Sequence, residues 1–556
     1  MGKPRARTTR RSTRMAERPP PGYHSPFPTG GSMASEPLDS AFHRRSEQRL
    51  DASQPIPLVA PTRVAFLGRT ERGPLNEPVA LASFDDYRRT FGNHCSFSFV
   101  SLAVQHFFQH GGQTAIVVRV ANRALRSVLE IPAGGEILRL QARQPGAREL
   151  LRVSVDYDRV ERDEQRFNLV VQRVSRPGSQ LIEDQEFFQR LSIDPTDERF
   201  VATALEDSDL VRLAGAVPRY RPDATRAHRP GDPIPYLDMC SAGTDGEELT
   251  DYDIVGSNKE GTGLFALDRE QFDLLCIPPP PGRDLGSTSF LAAERYCERR
   301  RAMLIWDPPW SWYSVDSALL GVRHTPLAGC NAVTYFPRGR PRGDFARFPS
   351  GMPACGAVAG ILARSDRSGV WRPAAAADSL LRANLAPLIE VAPKHAAMLR
   401  TLGVNTFIRV EAGNFSLYGN ACGGAGRGAR LSQVLDRRRL ALFVLNAIER
   451  HTRWALALPA EEHTAAELER QIWIFLSRLH QQGAFGERSP EHVFYVHAAV
   501  GEGADFAPVL LCRLAFAPRG AAELLGYRLR YADGEIAVQA VGTDGASGRP
   551  RVGAAV

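Results

Sequence analysis

Three glycine-rich stretches are the places where the sequence could bind the phosphate of a nucleotide. The first, VAFLGRTERGP at 64–74, runs from a short apolar strand into a turn with two glycines and two arginines. A dinucleotide-binding loop needs GxGxxG leading into a helix, and a P-loop needs GK followed by Ser or Thr, because both present backbone N–H groups at a helix N-terminus. The turn has neither spacing, and Pro74 lacks an amide donor.

The other two stretches fit phosphate binding no better. SNKEGTG at 257–263 lacks a Lys followed by Ser or Thr, and GNACGGAGRG at 419–428 follows an aromatic run and precedes no helix start. We interpret all three stretches as turns or surface loops. We therefore expect no nucleotide cofactor.

Asp307 is the strongest candidate for a catalytic side chain. It follows the predicted strand Met303–Trp306, at the carboxyl end where α/β enzymes place catalytic groups. Two prolines come next, no histidine is near in sequence, and an aspartate at a turn usually accepts backbone hydrogen bonds. The chain also lacks the HExxH and GxSxG motifs. We interpret Asp307 as a capping residue and predict a protein that is not an enzyme; an α/β enzyme with an unrecognised site is the alternative.

The cysteines indicate neither a metal site nor a disulfide framework. The eight of them are scattered, with no CxxC pair and no close Cys/His cluster. Scattered thiols are typical of a reducing compartment. No run approaches the roughly 18 apolar residues of a membrane span, and no apolar segment follows the N-terminal arginines. We expect cytoplasmic synthesis and no membrane insertion.

The positive charge is concentrated at the N-terminus. The chain carries a net charge of +7, of which residues 1–50 contribute six, with ten Lys or Arg against four acids. The remainder is close to neutral, so nucleic-acid binding would have to reside in this tail. We interpret the tail as a flexible, solvated arm and expect no nucleic-acid partner; a basic-tailed nucleic-acid-binding protein is the alternative.

The order of predicted elements indicates an α/β (α+β) chain of several parts. A flexible Pro- and Ser-rich arm at 1–57 precedes an α/β body at 58–121 and 236–400. Strands with apolar residues at every second position interrupt the body as an inserted β-rich module at 122–235, and a C-terminal domain with a terminal strand occupies 401–556.

Periodicity and turn residues also predict individual elements. Ser83 begins a short helix that Gly92 ends, and Asp533-Gly534 connects a hairpin. The longer predicted helices are Val100–His110, Leu291–Arg301, Gln433–Arg450 and Thr464–Gln482. The predicted strands outside the module are Val64–Leu67, Ala115–Val120, Phe272–Ile277, Met303–Trp306, Arg453–Leu458, His492–His497 and Val509–Phe516.

Three consecutive arginines, Arg437, Arg438 and Arg439, lie at the head of a predicted helix. Cations are unfavourable at that end of the helix dipole. The run is either a solvated face or a set of charges retained for an acidic partner surface.

Ten short stretches in order resemble the contractile tail sheath proteins of bacteriophages and contractile injection systems. The resemblance covers about residues 56–530. In chain order the stretches are VAFLGRTERGP with GGQTAIVVRV, LSIDPTDERFV, AGTDG, FDLLCIPPP, ERYCERRRAMLIWDPP, SGMPACGAVAGILARSDRSGVW, LGVNTFIRV, DRRRLALFVLNAIE, TRWALALP and FAPRGAAELLGYRL.

The resemblance implies a structural subunit that stacks as hexameric rings around an inner tube and contracts to drive the tube through a cell envelope. It implies no catalytic residue, cofactor or metal, and its partners would be further copies, the inner tube, and baseplate and terminal cap proteins. Subunits of the family exchange β-strands through both termini. The implied exchange residues here are Ile56, Leu58, Val59, Tyr527, Leu529 and Tyr531, and the implied inner-tube contacts are Arg437, Arg438 and Arg439.

The sequence departs from the family pattern at both ends. The family has PGVYVEE before the first strand, whereas here Pro21-Gly22-Tyr23 continues into His24-Ser25 and a long insertion. The chain also adds a hairpin and tail after the strand at 527–529, where the family often ends. Either the C-terminal arm pairs with itself, or the chain is a specialised paralogue at the baseplate or terminal end of the tube.

Overall fold

The computed structural model describes residues 54–160, 165–225, 235–325, 329, 331–341, 349–372, 378–382, 385–410, 414–423, 434–503, 506–521 and 524–541. The predicted arm at 1–57 lies outside this part except for its last four residues. The tail after 541, residues 424–428 of the third glycine-rich stretch and the predicted helix start at Gln433 also lie outside it.

The first part of the chain alternates strands and helices. Ser83 accepts a hydrogen bond from the Asp86 N–H (3.1 Å), and Gly92 ends the helix at φ +83°, which confirms both predicted ends. The elements are β1 (Arg63–Gly68), β2 (Pro78–Leu81), α1 (Phe84–Phe91), α2 (Val100–Gln109) and β3 (Thr114–Arg119).

The strands that follow form two antiparallel sheets. They are β4 (Val128–Ala133), β5 (Glu136–Ala142), β6 (Leu151–Asp156), β7 (Arg166–Val174), β8 (Ile182–Ser192), β9 (Val211–Leu213) and β10 (Leu237–Asp238), with a one-turn helix α3 (Val201–Ala204). The sheet orders are β4-β5-β9 and β10-β6-β7-β8. Every second residue, such as Leu129, Ile131, Val153 and Val155, enters a shared core, which explains the alternating sequence pattern. The domain boundaries at 122 and 235 stay a prediction.

The third part returns to α/β alternation. Its elements are α4 (Asp251–Val255), β11 (Leu274–Cys276), α5 (Ser287–Arg300), β12 (Met303–Trp306), α6 (Val315–Gly321), β13 (Ala332–Phe336), β14 (Gly339–Pro341), α7 (Cys355–Ser365), β15 (Leu385–Pro387), α8 (Pro393–Thr401), β16 (Val404–Arg409) and β17 (Phe415–Tyr418).

An eight-stranded sheet of order β17-β16-β13-β12-β11-β1-β3-β2 forms the centre of the body. Its six inner strands are parallel, and β17 and β2 are antiparallel at the two edges. Along β1, Val64 and Phe66 pack on the side of α2 and α7, whereas Ala65 and Leu67 pack on the side of α5 and α8. Burial on both faces explains the continuous apolar runs in these strands.

The C-terminal part packs helices on a separate four-stranded antiparallel sheet. Its elements are α9 (Leu435–His451), α10 (Glu462–Gln481), α11 (Pro490–Val493), β18 (Phe494–Glu502), β19 (Pro508–Phe516), β20 (Leu525–Ala532) and β21 (Glu535–Val541). The strand order is β18-β19-β20-β21. Asp533 and Gly534, both at positive φ, connect β20 to β21, which confirms the predicted hairpin.

Two predicted strands need correction. Residues Arg453–Ala457 form a 3-10 helix between α9 and α10, in which the adjacent residues Trp454 and Ala455 are both buried in the C-terminal core. At 490–493, Pro490 begins the helical turn α11, so β18 starts at Phe494 and continues to Glu502. None of the helices in the described ranges is long and apolar enough to cross a membrane.

Candidate assembly interface

The outer edge of β18 borders a groove on the surface of the C-terminal part. Within the described residues, β18 pairs only with β19, so its other side is a sheet edge. A cavity of about 540 Å³ is lined by residues of this edge and of α10. Its lining is Glu462, Ala465, Ala466, Glu469, Arg470, Trp473, His497, Ala498, Ala499 and Val500. Trp473 is 51% exposed there, and Val500 is 37% exposed.

One backbone group of this edge already has a side-chain partner. The Ala498 N–H donates to Glu469 Oε2 at 2.8 Å, and His497 Nδ1 lies 3.3 Å from the same oxygen. Because the Ala498 N–H points away from β19, the N–H and C=O groups of Val496 and Val500 point outward as well. The edge therefore presents a row of backbone groups, one of which is capped by a carboxylate.

The predicted N-terminal exchange residues lie beside the C-terminal helices of their own chain. Ile56 is buried in the core formed by α9, α10 and the sheet, Leu58 is half-buried against it, and Val59 is 47% exposed. The Gln54 C=O accepts a hydrogen bond from Gln471 Nε2 of α10 at 2.8 Å. Residues 54–60 pair with no strand in the part of the chain described. The sequence prediction of strand exchange through these residues stays a prediction.

The predicted C-terminal exchange residues are in an inner strand. Tyr527, Leu529 and Tyr531 belong to β20, which pairs with β19 on one side and β21 on the other, and their side chains are buried. The Tyr531 hydroxyl also forms a 2.8 Å hydrogen bond with Thr452 Oγ1. The C-terminal arm thus pairs with strands of its own chain, β19 and β21. These residues could take part in exchange only if β20 left its own sheet.

The three arginines of α9 all contact their own chain. Arg437 donates to the Gly520 C=O at 2.6 Å, and Arg438 donates twice to Asn331 Oδ1, at 3.0 and 2.6 Å. Arg439 is buried and forms an ion pair with Asp366. The contact of these three arginines with an inner tube stays a prediction, and the buried Arg439 is already paired within its own chain.

Asp307 caps a helix, as its sequence context indicates. Its Oδ1 accepts hydrogen bonds from the N–H groups of Ala354 (2.6 Å) and Cys355 (3.0 Å) at the start of α7. Burial raises the pKa of Asp307 to about 6. These hydrogen bonds give Asp307 Oδ1 a structural role at the start of α7.

The first glycine-rich turn connects two strands of the main sheet. It leads from β1 to β2, so no helix follows it. Arg69 donates to the Asp245 C=O, Arg72 forms an ion pair with Glu183 at 2.8 Å, and the Gly73 C=O accepts from Arg119. Among the described residues, no group of three His, Cys, Asp or Glu side chains is placed to hold a metal ion.

Sequence analysis did not identify Glu469, Trp473 and His497. The sequence contains one indication of this surface. Trp473 lies on α10 beside the buried stripe that includes Leu468, Ile472 and Phe475. A tryptophan outside the apolar stripe of an amphipathic helix is a common interface residue. The proximity of His497 to Glu469 depends on tertiary packing, and nothing in the sequence indicates it.

Comparison with solved structures places the fold among sheath proteins. The chain is similar to the sheath tail protein of Listeria innocua, with a TM-score of 0.60 and 11% identity over 86% of this chain and 97% of that one. The sheath tail protein of Desulfitobacterium hafniense matches with a TM-score of 0.52 and 11% identity, over 86% of this chain and 98% of that one. A contracted sheath complex of an extracellular contractile injection system matches with a TM-score of 0.49 and 14% identity, over 89% of this chain and 95% of that one.

No protein-family model and no curated protein matches the chain. The predicted α/β class and the resemblance inferred from the ordered motifs are confirmed at the level of fold. Over most of its length, the chain has the fold of the sheath tail proteins.

Proposed function

We propose that this protein is a structural subunit of a contractile tail sheath, with no catalytic activity. Copies would stack as hexameric rings around an inner tube and contract to drive that tube through a target envelope. The observation that carries the proposal is the similarity to sheath tail proteins over 86% of this chain. A switch of this kind needs rigid bodies with two alternative packings, and it needs no nucleotide.

The subunits would be joined by residues 54–60 of one copy, added as a strand to the β18 edge of another. This segment contacts the C-terminal core of its own chain through Ile56 and Leu58 and pairs with no strand in the described part of the chain. Joining the β18 edge of another copy would exchange those contacts for backbone pairing. Strand addition uses backbone hydrogen bonds and places few demands on sequence. At a net of about 1 kcal/mol for each bond, such a joint contributes on the order of 5 kcal/mol.

The prolines of this segment suit a strand that pairs on one side only. Pro55 and Pro57 lack N–H groups, and alternate residues of a strand direct their N–H groups to the same side. The other side keeps the N–H groups of Ile56, Leu58 and Ala60. That side would face β18, and the proline side would face away from the sheet.

A specialised paralogue at one end of the tube is the second candidate. The observation that favours it is the self-pairing of β20 and β21, which leaves the C-terminal arm inside its own sheet. Such a subunit would join the sheath through one arm and would not polymerise alone. In either role, the other expected partners are an inner tube protein and baseplate or cap proteins.

Electron microscopy of the purified full-length protein tests the joint. We expect wild-type tubes, and we expect Leu58→Pro to abolish them, because it removes an N–H from the pairing side of the strand. Val59→Pro is the matched control: it removes an N–H from the side that already has prolines, so tubes should persist. Equal loss of tubes in both variants would contradict the proposed pairing side, and wild-type monomers at every concentration would favour the paralogue.

A further inference from the structure

We infer that Glu469 is a gatekeeper of the β18 edge, whose carboxylate must leave before the strand of a second copy can pair there. The inference rests on the proposed sheath function and adds regulation at the same site. It comes from the position of the Glu469 side chain, which spans from α10 to the backbone of an edge strand.

Glu469 occupies a hydrogen-bonding position that an added strand needs. Its Oε2 accepts the Ala498 N–H at 2.8 Å, and Ala498 lies in the middle of β18 with Val496 and Val500 on either side. A strand paired with this edge would place one of its own carbonyl oxygens where the carboxylate oxygen is. The two acceptors exclude each other.

The cap makes the first step of strand addition unfavourable. A hydrogen bond to an ionised carboxylate is stronger than one to a neutral carbonyl, so the incoming strand replaces a stronger bond with a weaker one at this position. The new bonds at Val496 and Val500, and the contacts with Trp473, must then compensate. Short or poorly aligned segments would not displace the cap, and such a cap protects an edge from unintended pairing.

The surroundings allow the carboxylate to move. The side chain of Glu469 is 38% exposed and that of His497 is 53% exposed, so neither is locked in the core. The groove next to Glu469 has a volume of about 540 Å³, and Arg470 and Glu462 lie on its wall. A rotation of the Glu469 side chain toward solvent would open the edge without unfolding α10.

Three variants test the gatekeeper by the protein concentration at which tubes form, followed by light scattering and microscopy. We expect Glu469→Gln to lower this critical concentration a few-fold, because its neutral amide oxygen is a weaker acceptor. Glu469→Ala should lower it about tenfold, because the cap is absent. The matched control is Glu467→Gln, which makes the same charge change on the same helix but removes an ion pair with Arg470 instead of the cap.

Hydrogen–deuterium exchange of unassembled protein supplies a second measurement that does not depend on tubes. The peptide covering β18 should exchange faster in Glu469→Ala than in the wild type and in Glu467→Gln. If wild-type tubes form and Glu469→Ala has the wild-type critical concentration or a higher one, the gatekeeper inference is wrong and the sheath function stands. If no variant assembles at any concentration, the polymerising sheath subunit is ruled out in favour of the paralogue, and hydrogen–deuterium exchange alone decides on the cap. Unchanged exchange in Glu469→Ala overturns the cap whether or not tubes form.

Discussion

Both ring nitrogens of the buried residue His110 have backbone hydrogen-bond partners. His110 follows α2; its Nδ1 lies 2.7 Å from the His106 C=O, and its Nε2 accepts the Arg382 N–H at 3.0 Å. The carbonyl can only accept and the amide can only donate, so the ring is neutral with its proton on Nδ1. Burial lowers the pKa of His110 to about 4 and that of His106 to about 3.

These two histidines predict acid destabilisation. Their folded-state pKa values lie below the ordinary value of 6.5, so the unfolded state binds protons first, and stability present above pH 6.5 is lost as the pH falls toward 4. For His110 the loss is on the order of 3 kcal/mol. Urea unfolding of wild type at pH 7 and pH 4.5 should show it, and His110→Gln should reduce the difference between the two pH values. The exposed His492 supplies the control, since His492→Gln should leave the difference unchanged.

At the scale of elements, two helices of the body approach closely enough to require glycine. A Cβ on Gly356 of α7 would lie 1.9 Å from the Ala103 C=O of α2, and one on Gly360 would lie 2.4 Å from the Phe107 C=O. The two glycines are four residues apart on α7, and the two residues that they face are four apart on α2, so the helices are in contact along one turn of each. The motif SGMPACGAVAGIL includes these two glycines, but its letters do not reveal which helix they contact.

We expect Gly356→Ala to destabilise the body by about 1–3 kcal/mol, because the added methyl group forces α2 and α7 apart. Thermal unfolding should show a lower midpoint. Gly486→Ala is the control, because a Cβ there would meet only Val493 at 4.0 Å, and its midpoint should not fall. An unchanged midpoint for Gly356→Ala would show that the helices can separate without cost.

At the scale of the whole molecule, a buried ion pair ties the body to the C-terminal helices. Arg439 of α9 pairs with Asp366, which follows α7, and the Thr62 hydroxyl before β1 donates to the same carboxylate. All three side chains are buried. Removing one partner of such a pair leaves an uncompensated charge in the interior, which costs far more than the pair contributes.

Arg439→Met should therefore destabilise the folded chain by about 3–5 kcal/mol, measured as the free energy of unfolding in urea. The double variant Arg439→Met with Asp366→Asn should recover part of that loss, since it removes the carboxylate that Arg439→Met leaves without its ion-pair partner. Arg437→Met is the surface control on the same helix and should cost less than 1 kcal/mol (about the value of one exposed hydrogen bond). Additive losses in the double variant would contradict the pairing.

The sequence was informative where the signal is local and uninformative where it depends on packing. Alternation in the module, apolar runs in the parallel strands and the Asp533-Gly534 turn all predicted elements that the structure contains. The predicted strand Arg453–Leu458 was wrong, because alternating apolar residues also fit a short helical turn between two helices. The burial of Arg439, the inner position of β20 and the cap on β18 each depend on residues distant in sequence, which no local pattern encodes.

The proline spacing at 55 and 57 bears on how many neighbours each exchanged strand can have. Once such a strand is seated on β18, its outward side offers no amide at either proline, so a further strand cannot continue the ladder there. Each donated strand would therefore pair with one neighbouring strand only. The backbone pairing that joins two copies would then stop at the added strand and would not propagate into open-ended cross-β growth.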